Sequence, residues 1–229
     1  MITKLRKLFL LLLSFGFHYG NSQNLGCDLE EKILSQGLMD VQKEIPEILI
    51  ELRYSTTNNF MKKDVYGCLN HAYLQKPVIK MLKKAQRELS EKYPGYRFLI
   101  YDACRPLSIQ WELWNTLSHL SDEKRSLYVA DPRKHSIHNY GSAIDLTIAD
   151  ENGKALDMGA GFDQFDPIAY PKKEKEMLEK GLLSKKAYEN RLILRNTLMH
   201  AGITPIEYEW WHFNAYSREE AKKKYKVIE

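Results

Sequence analysis

The sequence predicts an α+β fold, a mostly antiparallel sheet flanked by helices. Three observations point there. Segments with helical spacing of apolar residues are long and interleaved with lysines and glutamates. Strand-like runs are short, rich in aromatic and aliphatic residues, and bounded by turn formers. The two kinds are mixed along the chain without the strict alternation that a parallel sheet requires. With 229 residues, 44% of them hydrophobic, one domain with a real core is expected. No internal repeat, low-complexity stretch or linker divides it.

The first residues read as a secretory signal. Lys4, Arg6 and Lys7 precede an apolar run, Leu8 to Phe17, followed by the small residues Gly20 and Ser22. The run is about half of the ~20 residues that a membrane-spanning helix needs. The expected organisation is therefore a signal peptide over 1–22 and a single domain over 23–229, exported to the periplasm. A membrane anchor, or a lipid on Cys27, ranks lower. Losing Lys4, Arg6 and Lys7 takes the formal charge from +4 to +1. A nearly neutral mature protein has no use for nucleic acid as a partner, and no stable membrane insertion is expected after cleavage. Three cysteines in an oxidising compartment permit one disulfide. Cys68 and Cys104 are the expected pair, because Cys27 lies close to the chain start.

Tyr73 to Tyr93 carries Leu74, Val78, Leu82, Ala85 and Leu89, an apolar stripe on an amphipathic helix that Pro94-Gly95 ends. Tyr96 to Ala103 is a buried strand. Pro106 opens a helix running to about Ser118. Ser142 to Ala149 is a second strand, closed by the Asp150-Glu151-Asn152-Gly153 turn. Helical pattern over Lys173 to His200 breaks near Gly181 and restarts at Ser184, an N-cap; Gly202 stops it. Tyr208 to Phe213 is a third strand. Lys222 to Lys224 reads as a solvated helix face.

Three segments carry chemistry. In Ser136-Ile137-His138-Asn139-Tyr140-Gly141-Ser142-Ala143-Ile144-Asp145, a histidine lies in a polar loop and an aspartate inside an apolar strand. Such a carboxylate is costly unless paired, hydrogen-bonded or metal-bound, so the two are either a structural pair or two metal ligands. In Glu207-Tyr208-Glu209-Trp210-Trp211-His212-Phe213, His212 would complete a His2Asp set that leaves one tetrahedral position open, as catalytic zinc sites do. Zinc lowers the pKa of water to ~7, and Glu209 could take the proton. Residues three apart on a strand face opposite ways. Glu209 must therefore precede the strand, or the strand must be bulged. The two tryptophans read as core. In Tyr101-Asp102-Ala103-Cys104-Arg105-Pro106, Arg105 sits at a strand–helix junction, either as a surface ion pair or as an oxyanion stabiliser.

Together, Ser136-x-His138-x-x-Gly141-x-Ala143-x-Asp145, Glu209-x-x-His212 and Cys104-Arg105-Pro106 resemble the D-alanyl-D-alanine dipeptidases of the vancomycin-resistance type. The likeness runs in matching order from about Glu51 to Phe213. It implies the zinc D,D-peptidase (hedgehog/D-Ala-D-Ala peptidase-like) fold. One zinc ion per chain would be held by His138, Asp145 and His212, with Glu209 as the catalytic base and Arg105 as the transition-state arginine. The segments Glu51-Leu52-Arg53-Tyr54-Ser55-Thr56-Thr57-Asn58-Asn59-Phe60 and Met158-Gly159-Ala160-Gly161-Phe162-Asp163 resemble those that hold the free amine of the substrate. That implies roles for Tyr54 and Asp163, and Ser136 matches a serine close to the substrate. The implied substrate is the small dipeptide D-alanyl-D-alanine. The alternative is a D,D-carboxypeptidase or endopeptidase acting on peptidoglycan stem peptides, for which a carboxylate facing a free amine would be of no use. The resistance enzyme works in the cytoplasm; an exported chain fits periplasmic turnover of the dipeptide better.

Overall fold

Seven consecutive residues, Ala143–Ala149, form a strand buried at every position, and the remaining elements of the computed structural model, which describes residues 27–229, are arranged to cover it. In chain order the elements begin with α1 (Asp28–Ser35), β1 (Met39–Asp40), α2 (Val41–Glu44), β2 (Leu49–Ile50) and β3 (Tyr73–Leu74). They continue with α3 (Lys76–Lys92), β4 (Arg97–Asp102), α4 (Leu107–Thr116), α5 (Asp122–Arg125) and β5 (Ala143–Ala149). The last are α6 (Glu174–Glu179), α7 (Lys185–His200), β6 (Thr204–Pro205), β7 (His212–Asn214) and α8 (Arg218–Lys224). The expected signal peptide over 1–22 lies outside the described residues.

The main sheet runs β2-β4-β5-β7-β6. Only β2–β4 is parallel; the other three pairings are antiparallel. β1 and β3 make a separate antiparallel pair. The α+β class with a mostly antiparallel sheet is what the sequence predicts. Helix α3 lays Val78, Leu82, Ala85 and Leu89 onto the core, the stripe expected from spacing, and α7 packs beside it. Ser184 caps α7 by accepting from Ala187 N–H.

Two boundaries differ from expectation. Tyr73 and Leu74 belong to β3 rather than to the helix. Pairing with Met39 and Asp40 satisfies their backbone groups in a ladder, so α3 begins only at Lys76. The third strand is His212–Asn214, and Glu209 lies ahead of it, just before the Trp210–Trp211 turn. That removes the facing conflict between Glu209 and His212.

The expected Cys68–Cys104 disulfide is corrected. Cys27 bonds to Cys68, with their Cα atoms 5.5 Å apart, while Cys104 is a free, buried thiol. Cys27 is not part of a loose chain start. It precedes α1, accepts the Glu31 amide with its carbonyl, and is 9% exposed. Cys104 instead turns into the core beside β4, where burial raises its thiol pKa.

Candidate active site

A bulge sets the site. β4 and β5 pair regularly from Arg97↔Ala149 to Ile100↔Leu146, then skip Tyr101, so that Asp102 faces Asp145. Such an extra residue re-aims the side chains beyond it. On the other side of β5, Asp145 pairs directly with His212 of β7. One row across three strands thus carries Asp102, Asp145 and His212, and cross-strand partners project to the same face.

His138 joins the row from a single 3-10 turn, Ile137–Tyr140, that ends at Gly141 in the left-handed region (φ +62°). Ser136 Oγ accepts from His138 N–H, and Asn139 Oδ1 accepts from Ser136 N–H, closing a reciprocal cap on the turn. Ser136 therefore holds the backbone of His138.

The three side chains converge. His138 Nε2 lies 3.1 Å from His212 Nδ1 and 3.3 Å from Asp145 Oδ1, and His212 Nδ1 lies 2.9 Å from the same oxygen. Their outer ring nitrogens are already committed. His138 Nδ1 lies 2.6 Å from the Ala103 carbonyl, which only accepts, so it carries the proton. His212 Nε2 lies 2.9 Å from Asn214 Oδ1 and donates there likewise. Two imidazole lone pairs and a carboxylate oxygen therefore face one point, an arrangement that repels unless a cation sits among them. A proton would relieve one pair only; a divalent ion takes all three. Ligand atoms ~2.0–2.1 Å from a tetrahedral zinc lie roughly 3.3 Å apart, close to the separations here. Among the described residues this is the one His/Cys/Asp/Glu group compact enough to hold a metal. Its donor set, and the fixing of each ring by a second partner, fit zinc. Burial works against the charge of Asp145, and only positive charge at this point, on the two histidines or on a bound cation, holds its pKa below the usual carboxylate range.

Glu209 Oε2 stands 3.7 Å from His212 Nδ1, and its side chain is 22% exposed. His138 is 2% and His212 12% exposed at the side chain, so the cluster opens toward Glu209. Desolvation pushes the Glu209 pKa up to about 7; His212 opposes the rise, and Asp145 and Asp163 add to it.

Arg105 is buried. It donates from Nε and Nη2 to Asp102 and from Nη1 to Gln110, and Nη2 comes within 3.6 Å of Asp145. Of its five N–H groups, two remain for a ligand. Its guanidinium lies 5.0 Å over the Tyr54 ring, and the Tyr54 hydroxyl donates a long bond, 3.4 Å, to Asp163. Asp163 accepts also from Phe60 N–H and holds a left-handed backbone (φ +58°). Burial first, and Asp145 next, push its pKa up to about 7 against the lowering effects of the Phe60 amide and Arg105. Burial keeps the Tyr54 phenol neutral, with Asp163 adding to the effect.

The predicted residues thus come together as one chain of contacts: His138, Asp145, His212, Glu209, Arg105, Tyr54 and Asp163. Sequence reading missed three supports. Asp102 accepts from Tyr66 as well as from Arg105, Gln110 holds Arg105, and Asn214 orients His212. Asp102 carried the same signal as Asp145, a carboxylate inside an apolar strand. Gln110 and Asn214 carried none.

A family model described as Peptidase_M15, D-ala-D-ala dipeptidase, matches residues 34–228. A D-alanyl-D-alanine dipeptidase of Escherichia coli (strain K12) is 34% identical over 179 residues, 77% of this chain and 83% of that one. One of Synechocystis sp. is 26% identical over 168 residues, 62% and 68% of the two chains. A looser likeness links the chain to a vancomycin-resistance D,D-pentapeptidase solved in complex with Zn(II). The TM-score is 0.39 at 15% identity, over 67% of this chain and 79% of that one.

Proposed function

The chain belongs to the D-ala-D-ala dipeptidase family of M15 peptidases, and from that premise we propose that it hydrolyses D-alanyl-D-alanine to two molecules of D-alanine. One observation carries the proposal. The inward-facing His138–Asp145–His212 cluster has a carboxylate, Glu209, 3.7 Å from His212, and a further, half-buried carboxylate, Asp163, is held 3.4 Å from the Tyr54 hydroxyl.

Each side chain then has a task. Zinc bound at the cluster supplies Lewis acidity, polarising a carbonyl and bringing the pKa of water down to about 7. Glu209 takes the proton of the attacking water and delivers it to the leaving amine nitrogen as the C–N bond breaks. The two free N–H groups of Arg105 face the negative charge that develops on the carbonyl oxygen. Asp163, supported by Tyr54, receives the ammonium of the dipeptide. Ser136 acts at one remove, through His138.

Asp163 also separates dipeptidase from carboxypeptidase. A carboxylate this desolvated gains most from a cation, and an N-acylated stem peptide offers none at that end. Purified protein should release D-alanine from the free dipeptide, lose that activity to a chelator and regain it with zinc. Hydrolysis indifferent to chelation would end the metal reading. Preference for the N-acetylated dipeptide would end the amine-binding role of Asp163.

A further inference from the structure

Asp163 sits in a segment with no regular structure from Leu156 to Asp166, yet its carboxylate must meet a small ligand to within tenths of an ångström. Packing holds part of the segment, since Phe162 sets its ring against Tyr54, Tyr101 and Trp211. Met158, Ala160 and Phe162 also line a half-open cleft of about 220 Å³, shared with Arg53, Tyr101 and Trp210. The carbonyls of the segment are held by a further set of hydrogen bonds. Arg191 of α7, 1% exposed, donates from Nε to Met158 O at 2.7 Å and from Nη2 to Ile168 O at 3.0 Å, gripping the segment near its start and just beyond its end. Between them, Trp210 Nε1 donates to Ala160 O at 3.1 Å. The Arg191 guanidinium also lies 5.9 Å over the Trp210 ring, and Glu174 balances its charge. Asn190 adds a bond to Asp157 O at 2.7 Å.

We propose that Arg191 and Trp210 form a brace that positions Asp163, and through it sets selectivity for a substrate with a free ammonium group. Both are positioning residues; neither is assigned a contact with substrate. The proposal rests on the reading of Asp163 as the amine anchor. The brace also has a second attachment. Trp210 is adjacent to Glu209, and its own amide donates to Ala169 O just beyond Ile168. The turn next to the base and the segment that carries the anchor are therefore tied to the same post. A bare core arginine would be costly to bury without such work, because each N–H must find an acceptor.

Trp210→Phe is the mild test, since it keeps an aromatic ring and removes one N–H; Arg191→Lys is the stronger one. In Trp210→Phe, amide hydrogen exchange should quicken within 159–165 while β5 and α3 stay protected. KM for D-alanyl-D-alanine should rise about three- to tenfold, the worth of one hydrogen bond, with kcat within about twofold. On an Asp163→Asn background the same change should add nothing to KM, because the residue it acts through is already gone. Unchanged exchange in 159–165 overturns the brace, and so does a KM increase that persists undiminished beside Asp163→Asn. Should the wild-type protein fail to cleave the dipeptide, the proposed function falls, and the exchange measurement alone still decides whether the brace exists.

Discussion

At the scale of single residues, the site places carboxylates where they are costly. Glu209 and Asp163 both have pKa values pushed up to about 7, first of all by burial. For Glu209 the consequence is chemical, since a base titrating near neutral pH can both take and return a proton. Glu209→Gln should retain the metal, whose ligands it leaves intact, and lose at least ~10²-fold in kcat. Metal content and turnover measured on one preparation check it, and normal turnover would remove Glu209 from the mechanism. For Asp163 the consequence extends to stability. Its folded-state pKa is raised above the ordinary carboxylate value, so the native protein binds more protons than the unfolded chain between about pH 4 and pH 7. Stability from this group is therefore present at low pH and lost as pH rises through the folded value. In metal-free protein, Asp163→Asn should raise the melting temperature relative to wild type at pH 8. The gain, on the order of 2–4 kcal/mol, should fade toward pH 4. Activity should move the opposite way. The charged carboxylate is the form that binds an ammonium, so KM should fall as pH rises through about 7 in wild type, and that dependence should vanish in Asp163→Asn.

At the scale of elements, the site depends on short irregular pieces beside one long strand. Gly141 joins the turn of His138 to β5 at φ +62°, and a Cβ there would lie 2.6 Å from Leu38 Cδ2. Gly141→Ala should cost roughly 1–2 kcal/mol for the backbone alone and displace His138, weakening zinc binding. Gly153→Ala shares the positive φ but meets nothing closer than 3.5 Å and lies in the turn after β5. It should lower stability without touching metal affinity, and a metal titration of the pair separates the two effects. The same division explains what could be read from sequence. β5, β4, α3 and α7 were legible because their periodicity runs long enough to register. β1, β2, β3 and β6 have two residues each, too few for any pattern, and exist because neighbours supply partners for their backbone groups. The aromatic run from Tyr208 to Phe213 reads as one strand. Trp210 and Trp211 instead occupy a tight turn, where Trp211 fills the core and Trp210 reaches sideways to the Asp163 segment. The metal ligands were legible for a different reason: a histidine or aspartate in an apolar setting is costly enough to demand an explanation. Gln110 and Asn214 are cheap anywhere, so nothing in the sequence marked them.

At the scale of the whole molecule, the disulfide closes the fold on itself. Cys27 fastens α1 to the loop that leads into β3, 41 residues on, and in β3 the Tyr73 carbonyl accepts from the Cys104 amide at the edge of the Arg105 turn. The covalent tie thus supports, through one strand, the junction that carries the arginine. Sequence reading assigned the wrong partner because nearness to the chain start suggested a loose Cys27, whereas burial against the core makes it the anchored one. A structural disulfide fits a chain that matures in an oxidising compartment, in keeping with our proposal of export to the periplasm. Closing a loop of this size should be worth about 2–4 kcal/mol. Cys68→Ser should lower the melting temperature accordingly, while Cys104→Ser should leave the tie intact. Protein recovered from its natural host should show no reactive thiol when native and one when unfolded, since Cys104 alone is free and it is buried. Three thiols in unfolded protein, from cells lysed in a thiol-blocking reagent, would place the mature chain in a reducing compartment. A proteolytic map linking Cys68 to Cys104 would show instead that the core around β4 opens more than its burial allows.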